Sequence, residues 1–167
     1  EGGYRTPMFF HWPNVVPAGH TFEYPISALD FYPTFATLAG AEIPASKKLD
    51  GKDIWNDFLS GKSSHTNDNI YVMRHRSGYT DVGVRRNQWK ALKIHQQEWK
   101  LFNVDLDMGE TQDLSKDHSE ILKELVFDAE KWSKTHTEPR WFTPKELGKD
   151  WIEKDMAKFP NTFNIEK

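Results

Sequence analysis

Residues 69–104 read NIYVMRHRSGYTDVGVRRNQWKALKIHQQEWKLFNV, and this stretch decides the fold of the second half of the chain. Within it, polar and apolar residues alternate, and the strand-favouring residues Tyr, Val, Trp and Phe are frequent. Polar breaks at 77–78, 87–88 and 96–97 separate four such segments. The pattern predicts a four-stranded antiparallel meander with strands over 70–74, 81–86, 89–94 and 100–104.

A helix is predicted directly after the meander. Asp117 and Glu120 have the spacing of a capping box, in which two side chains satisfy the first free amides of a helix. The apolar residues that follow recur on one helical stripe, namely Ile121, Leu122, Leu125, Val126, Ala129 and Trp132. We therefore expect a helix over about residues 120–133 that covers one face of the sheet with Leu122, Leu125 and Trp132.

The first half of the chain shows other patterns. Residues 7–12, PMFFHW, are almost continuously apolar and predict a strand buried on both faces, as in a parallel sheet covered by helices. Within residues 24–40, Pro33 suits a first helical turn and Gly40 suits a helix end, so a helix is predicted there. Residues 49–61 predict a shorter amphipathic helix, and the polar loop over 62–69 predicts a domain boundary.

The segment from His136 onward differs from both halves. Thr143, Pro144 and Glu146 form a second helix-start signature, which predicts a short helix near the end of the chain.

Composition excludes several classes of protein. The chain has 167 residues, 22 Lys plus Arg against 25 Asp plus Glu, and no cysteine. Because the charges of both signs are spread along the chain, we expect no nucleic-acid partner. No apolar run approaches the roughly 20 residues of a membrane span, so no membrane partner is expected. The absence of cysteine excludes disulfides, thiol nucleophiles and thiolate metal sites.

The residues alone show no complete active site, so no catalytic residue and no metal ligand is predicted. The seven histidines stand at 11, 20, 65, 75, 95, 118 and 136, and no two have the spacing of a metal pair. Asp105 and Asp107, followed by Gly109 and Glu110, lack the remaining ligand positions of a calcium loop. A turn capped by aspartate side chains is the better interpretation.

Five short strings do occur in one consistent order. They are EGGYRTP at 1–7, PISALD at 25–30, LDG at 49–51, VRRNQWKALK at 84–93 and LFNVDLDMGETQDL at 101–114. In order and spacing they resemble the C-terminal third of type I sulfatases, the formylglycine-dependent family of the alkaline phosphatase superfamily. The resemblance covers residues 1 to about 134.

The resemblance implies an α/β, alkaline-phosphatase-like fold. Residues 1–66 would be the C-terminal end of the large catalytic domain, with the strand at 7–12 and the helix after it belonging to the large sheet. Residues 67–135 would be a small subdomain, a four-stranded antiparallel sheet packed with a C-terminal helix. Residues 136–167 would form a C-terminal tail.

The resemblance also implies a function, hydrolysis of a sulfate ester in a sulfated carbohydrate or an aryl sulfate. Such enzymes use calcium and a formylglycine made from the first residue of a C/S-x-P-x-R motif, and this chain contains no such string. Both cofactors are therefore expected in an N-terminal portion of the same sulfatase, which would be the partner of this chain. The chain alone is expected to bind neither cofactor and to be inactive. Family members suggest a periplasmic or secreted protein.

The same resemblance implies candidate substrate-binding residues. Loops of the small sheet border the mouth of the active site in such folds, so Arg74, His75 and Arg76 are expected to contact a sulfated small molecule or glycan. The alternative is that these residues form a solvated strand end. Two other functions stay open, a phosphonate or phosphate-ester hydrolase of the same superfamily and a non-catalytic carbohydrate-binding module.

Overall fold

The computed structural model describes residues 5–76, 79–94 and 97–137. Contacts divide the chain into two compact units, with the boundary between Asn67 and Asp68. The first unit contains a 3-10 turn, Ala28–Asp30, followed by α1, Phe31–Leu38, and α2, Trp55–Ser60. The second unit contains β1, Ile70–Arg76, β2, Tyr79–Arg86, β3, Trp89–Lys93, β4, Lys100–Asn103, and α3, Ser119–Ser133. The helix predicted around Thr143 lies outside the described residues.

The four strands form one antiparallel sheet in the order β1-β2-β3-β4, which confirms the predicted meander. Val84, Ala91 and Leu101 are cross-strand partners on the three successive strands β2, β3 and β4, and all three are fully buried. Such a row gives the sheet one continuous apolar face. Asn87, with a φ of 53°, forms the tight turn between β2 and β3, a conformation that asparagine tolerates well.

Helix α3 packs on this apolar face through Leu125 and Ala129, which are both fully buried. Leu122 and Trp132 are half-buried, and the Trp132 ring stacks on Tyr71 of β1 with ring centroids 4.5 Å apart. The predicted position of the helix on the sheet is confirmed. None of the helices within the described ranges is long and apolar enough to cross a bilayer.

The predicted capping box of α3 is wrong. The residue at the cap position is His118, and its side chain makes no capping hydrogen bond. The Glu120 carboxylate instead accepts a hydrogen bond from Lys123 Nζ at 2.7 Å, one turn further along the helix. This local ion pair competes with the backward reach that a capping box needs.

The helices of the first unit have the predicted start and stop signals. Pro33 lies in the first turn of α1 and is buried, and Gly40 beyond the helix end has a φ of 64°. Gly61 ends α2 with a φ of 66°. The ring of Phe58, on α2, is 6 % exposed because other rings pack around it, those of Phe10, His20, Phe22 and Trp55.

The strand predicted over residues 7–12 belongs to the large sheet, which the described residues do not contain, so this strand stays a prediction. Residues 7–12 have no regular secondary structure in this structure, and Phe9 is 91 % exposed. A strand needs a neighbour for its backbone hydrogen bonds, and the described residues provide one sheet, in which this segment has no place. Two rings of the segment do pack within the first unit: the Phe10 centroid lies 4.9 Å from that of Phe58, and the Trp12 centroid lies 5.4 Å from that of Trp55.

Candidate functional site

The predicted substrate residues lie at the end of β1. Arg74 is the cross-strand partner of Asp81, His75 of Thr80, and Arg76 of Tyr79 at the last pair of the ladder. The Arg74 side chain is exposed. For His75 and Arg76 the structure describes the position in the strand.

These three residues do not share one face of the sheet. Successive positions of a strand lie on alternate faces, so positions 74 and 76 fall on one face and position 75 on the other. The row of Tyr71 and Val84 belongs to the face that α3 covers. By the same alternation, position 75 belongs to the helix face of the sheet, and position 74 belongs to the opposite face.

The face opposite α3 contains two buried cations. Arg85 and Lys90 are cross-strand partners, 7 % and 3 % exposed. The Arg85 guanidinium lies 3.3 Å from the Asp105 carboxylate, and Lys90 Nζ is ion-paired with Glu110. Both carboxylates come from the turn that follows β4, so the turn and the sheet are connected by two ion pairs.

The pKa of Glu110 lies below its ordinary value: burial raises it, and the hydrogen bond from Lys90 is the largest of the contributions that lower it. Glu110 is therefore ionised at neutral pH. Sequence reasoning gave Lys90 and Glu110 no role. One signal in the sequence could have indicated this pair: Lys90 lies within a strand, between Trp89 and Ala91. A charge buried in a strand requires a partner.

The first unit contains a separate buried polar pair. The Asp30 carboxylate is fully buried and accepts hydrogen bonds from His65 Nε2 at 2.9 Å, Lys52 N at 2.9 Å and Ser27 N at 2.7 Å. Burial raises the pKa of Asp30, but these hydrogen bonds outweigh burial and lower it below its ordinary value. The carboxylate thus holds three chain segments together as an anion.

Gly51 is required by the same arrangement. A Cβ atom at Gly51 would overlap the backbone carbonyl of Leu29, which directly precedes Asp30. The backbone at 49–51 therefore runs against the 3-10 turn, and this approach explains why the string LDG accompanies PISALD in the sequence.

The turn after β4 has the predicted aspartate cap. The Asp107 carboxylate accepts hydrogen bonds from Gln112 N at 2.9 Å and Thr111 N at 2.8 Å. These backbone amides lower the pKa of Asp107. Among the described residues, no group of three or more His, Asp or Glu could hold a metal ion.

The described side chains are better suited to binding an anion than to transferring a proton. The carboxylates of Asp30, Glu110 and Asp107 already accept hydrogen bonds from His65, Lys90 and a backbone amide, so they are poor candidates for a general acid or base. An exposed guanidinium such as that of Arg74 can instead pair with an anion in two parallel hydrogen bonds.

The sequence of this chain matches a known protein family. Residues 1–135 match the family described as "N-sulphoglucosamine sulphohydrolase, C-terminal". The chain belongs to this family of sulfatase C-terminal domains. The resemblance to sulfatases seen in the sequence is thereby confirmed.

Individual relatives are sulfatases as well. The chain is 35 % identical over 102 residues to human steryl-sulfatase, covering 61 % of this chain and 16 % of that protein. It is 32 % identical over 129 residues to a sulfatase of Formosa agariphila, covering 68 % of this chain and 23 % of that protein. The chain therefore spans about a quarter or less of these relatives.

A solved structure is more similar. The crystal structure of Ps i-CgsB is 46 % identical, with a TM-score of 0.80, over 89 % of this chain and 33 % of that chain. The same relative has been solved in complex with k-i-k-neocarrahexaose.

Proposed function

We propose that the whole protein is a sulfatase that hydrolyses a sulfate ester of an oligosaccharide, and that this chain is its C-terminal part. The proposal is carried by the 46 % identity to Ps i-CgsB, which has been solved with a neocarrahexaose. Because this chain matches 33 % of that relative, the rest of the enzyme is an N-terminal portion that partners this chain.

Formylglycine and calcium belong to that N-terminal portion in this proposal. The chain has no cysteine and no C/S-x-P-x-R string, and its described residues contain no candidate metal cluster. The residues here therefore do not fit either group. We expect the chain alone to release no sulfate, since it lacks a nucleophile and the groups that stabilise the transition state.

In this proposal, the chain contributes residues that contact the substrate. Arg74 is exposed at the end of β1, two residues before the last pair of the ladder, and its guanidinium suits a sulfate or another anionic group on the sugar. His75 and Arg76 are proposed to border the same substrate from the neighbouring positions. An imidazole at position 75 can exchange a hydrogen bond with a sugar hydroxyl near neutral pH.

A sugar polymer large enough to yield such oligosaccharides lies outside the cell. We therefore propose that the protein is exported, to the periplasm or to the medium. Cell fractionation with an antibody to this chain tests this point, and recovery with the cytosolic fraction alone would contradict it.

The full-length protein should be tested on paired substrates. Ion chromatography is expected to detect free sulfate from a sulfated neocarrahexaose and from an aryl sulfate, and no phosphate from the matching aryl phosphate. Preferential release of phosphate would favour a phosphate-ester hydrolase. Binding of the oligosaccharide without release of any anion would favour a carbohydrate-binding module, and either result would overturn the proposal.

A further inference from the structure

The turn that follows β4 carries two exposed apolar side chains. Leu106 is 87 % exposed and Met108 is 59 % exposed, and we call this pair the apolar tip. Exposed apolar residues are ordinary when they are single and mobile. The backbone around Leu106 and Met108 is instead held in a turn by hydrogen bonds.

Hydrogen bonds hold the turn at its base. Leu106 N and Asp107 N both donate to the carbonyl of Asn103, at 3.2 and 2.8 Å. The Asp107 carboxylate then accepts from the amides of Thr111 and Gln112 on the far side. The apolar tip is consequently displayed by a turn with a fixed shape.

Two ion pairs fix the same turn to the sheet. Asp105 pairs with Arg85 at one end of the turn and Glu110 pairs with Lys90 at the other, and both cations are buried. Glu110 also adopts a φ of 53°, a left-handed conformation that is unfavourable for a side chain of this size. Buried charges and backbone strain both cost stability, so the turn is held at a cost that a solvated loop would not require.

We infer that the apolar tip packs into an apolar pocket of the sulfatase portion outside this chain. This inference rests on the proposed function, because it takes that portion as the partner. The solved relative of 46 % identity has about two thirds of its length outside the matched region, which is ample to cover the tip. Asp105, 57 % exposed, flanks the tip, so the pocket is expected to have a cationic rim.

Methionine oxidation in the full-length protein tests the inference. In the chain described here Met108 is more exposed than Met73, 59 % against 37 %, so exposure alone predicts that Met108 reacts faster with hydrogen peroxide. If the tip is covered, mass spectrometry will find the reverse order. Oxidation of Met108 at a rate equal to or above that of Met73 would overturn the inference.

Substitution gives a second readout. Leu106→Ser in the full-length protein is expected to lower Tm by at least about 2 °C, because it puts a hydroxyl into an apolar pocket. Phe127→Ser is the control, since Phe127 is 65 % exposed on the outer side of α3. An unchanged Tm for Leu106→Ser contradicts docking.

Two further outcomes are separated by the same measurements. Protection of Met108 that disappears on dilution to monomer would mean that a second copy covers the tip, and it would overturn the inference. Neither oxidation nor Tm depends on sulfate release. A protein that shows protection without activity would therefore refute the proposed function and leave the docking contact standing.

Discussion

Nε2 of His65 lies 2.9 Å from Oδ2 of Asp30, although 35 residues separate the two in the sequence. Both side chains are buried, and the same carboxylate accepts hydrogen bonds from the amides of Ser27 and Lys52. One anion therefore connects the 3-10 turn, the segment around residue 52 and the loop before β1. This contact makes Asp30 the polar centre of the first unit.

Acid is expected to destabilise the first unit through Asp30. The pKa of Asp30 in the folded protein lies below the ordinary value of 3.8, because hydrogen bonds outweigh burial. The stabilising contribution is therefore complete above the ordinary value and is lost as pH falls through the lowered folded-state pKa. Urea unfolding at a series of acidic pH values should give a smaller pH dependence for Asp30→Asn than for wild type. Equal pH dependence would contradict this role.

Gly51→Ala is expected to destabilise the protein by about 1–3 kcal/mol, since the new methyl group meets the backbone carbonyl of Leu29. The matched control is Gly109→Ala, where the nearest atom is a side-chain methyl of Thr111 at 3.2 Å, which can move. Urea midpoints of the two variants check the comparison. A Gly51→Ala midpoint equal to that of the control would show that the backbone can move apart.

The period-two pattern was sufficient to predict the meander, because strand alternation and two-residue turns are local signals. The burial of a segment, in contrast, depends on neighbours that are distant in the sequence. The apolar run at 7–12 reads as a buried strand, yet Phe9 is exposed, since the run needs a neighbouring strand that the sequence pattern does not specify. The Asp117–Glu120 spacing predicted a cap, but Lys123 attracts the Glu120 carboxylate instead.

Leu125→Ala should destabilise the sheet and helix by about 2–5 kcal/mol, because the residue is fully buried between α3 and the apolar face of the sheet. Phe127→Ala on the same helix is the control and should change stability by no more than about 0.5 kcal/mol. Thermal or urea unfolding measures both. If the two variants lose the same stability, α3 does not pack on the sheet as described.

Replacing Lys90 alone is expected to destabilise the protein more than replacing both partners of the Lys90–Glu110 ion pair. Lys90→Met alone should cost about 3–5 kcal/mol, since it removes the buried cation of an ion pair and leaves the Glu110 charge in place. Lys90→Met combined with Glu110→Gln should recover much of the loss, because the carboxylate charge is removed together with its cation. Equilibrium unfolding of the two single variants and the double variant checks this coupling. Strictly additive losses would mean that the pair contributes no coupling energy.

Only part of the candidate site could be predicted from the sequence. Arg74, His75 and Arg76 follow one another in the sequence, so they read as one cationic cluster. On a strand, however, position 75 lies on the other face from positions 74 and 76. The contacts of Asp30 with His65 and of Lys90 with Glu110 join residues 35 and 20 positions apart, and no local spacing rule connects such pairs.

Arg74 provides the last prediction. In the full-length enzyme, Arg74→Ala is expected to lower kcat/KM for the oligosaccharide by about tenfold or more, the loss of one hydrogen bond to a charged group. Its Tm should be unchanged because the side chain is exposed. Lys123→Ala is the matched control, since it removes another exposed cation, on α3. His75→Ala is expected to show the same kinetic loss with unchanged Tm.

The most direct measurement of the central claim, that this chain contacts the substrate of a sulfatase, is the kcat/KM ratio between oligosaccharide and small aryl sulfate. For Arg74→Ala that ratio should fall by about tenfold or more relative to wild type and to Lys123→Ala, because the aryl sulfate is too small to use the contact. An unchanged ratio, with sulfate still released from both substrates, would contradict the claim.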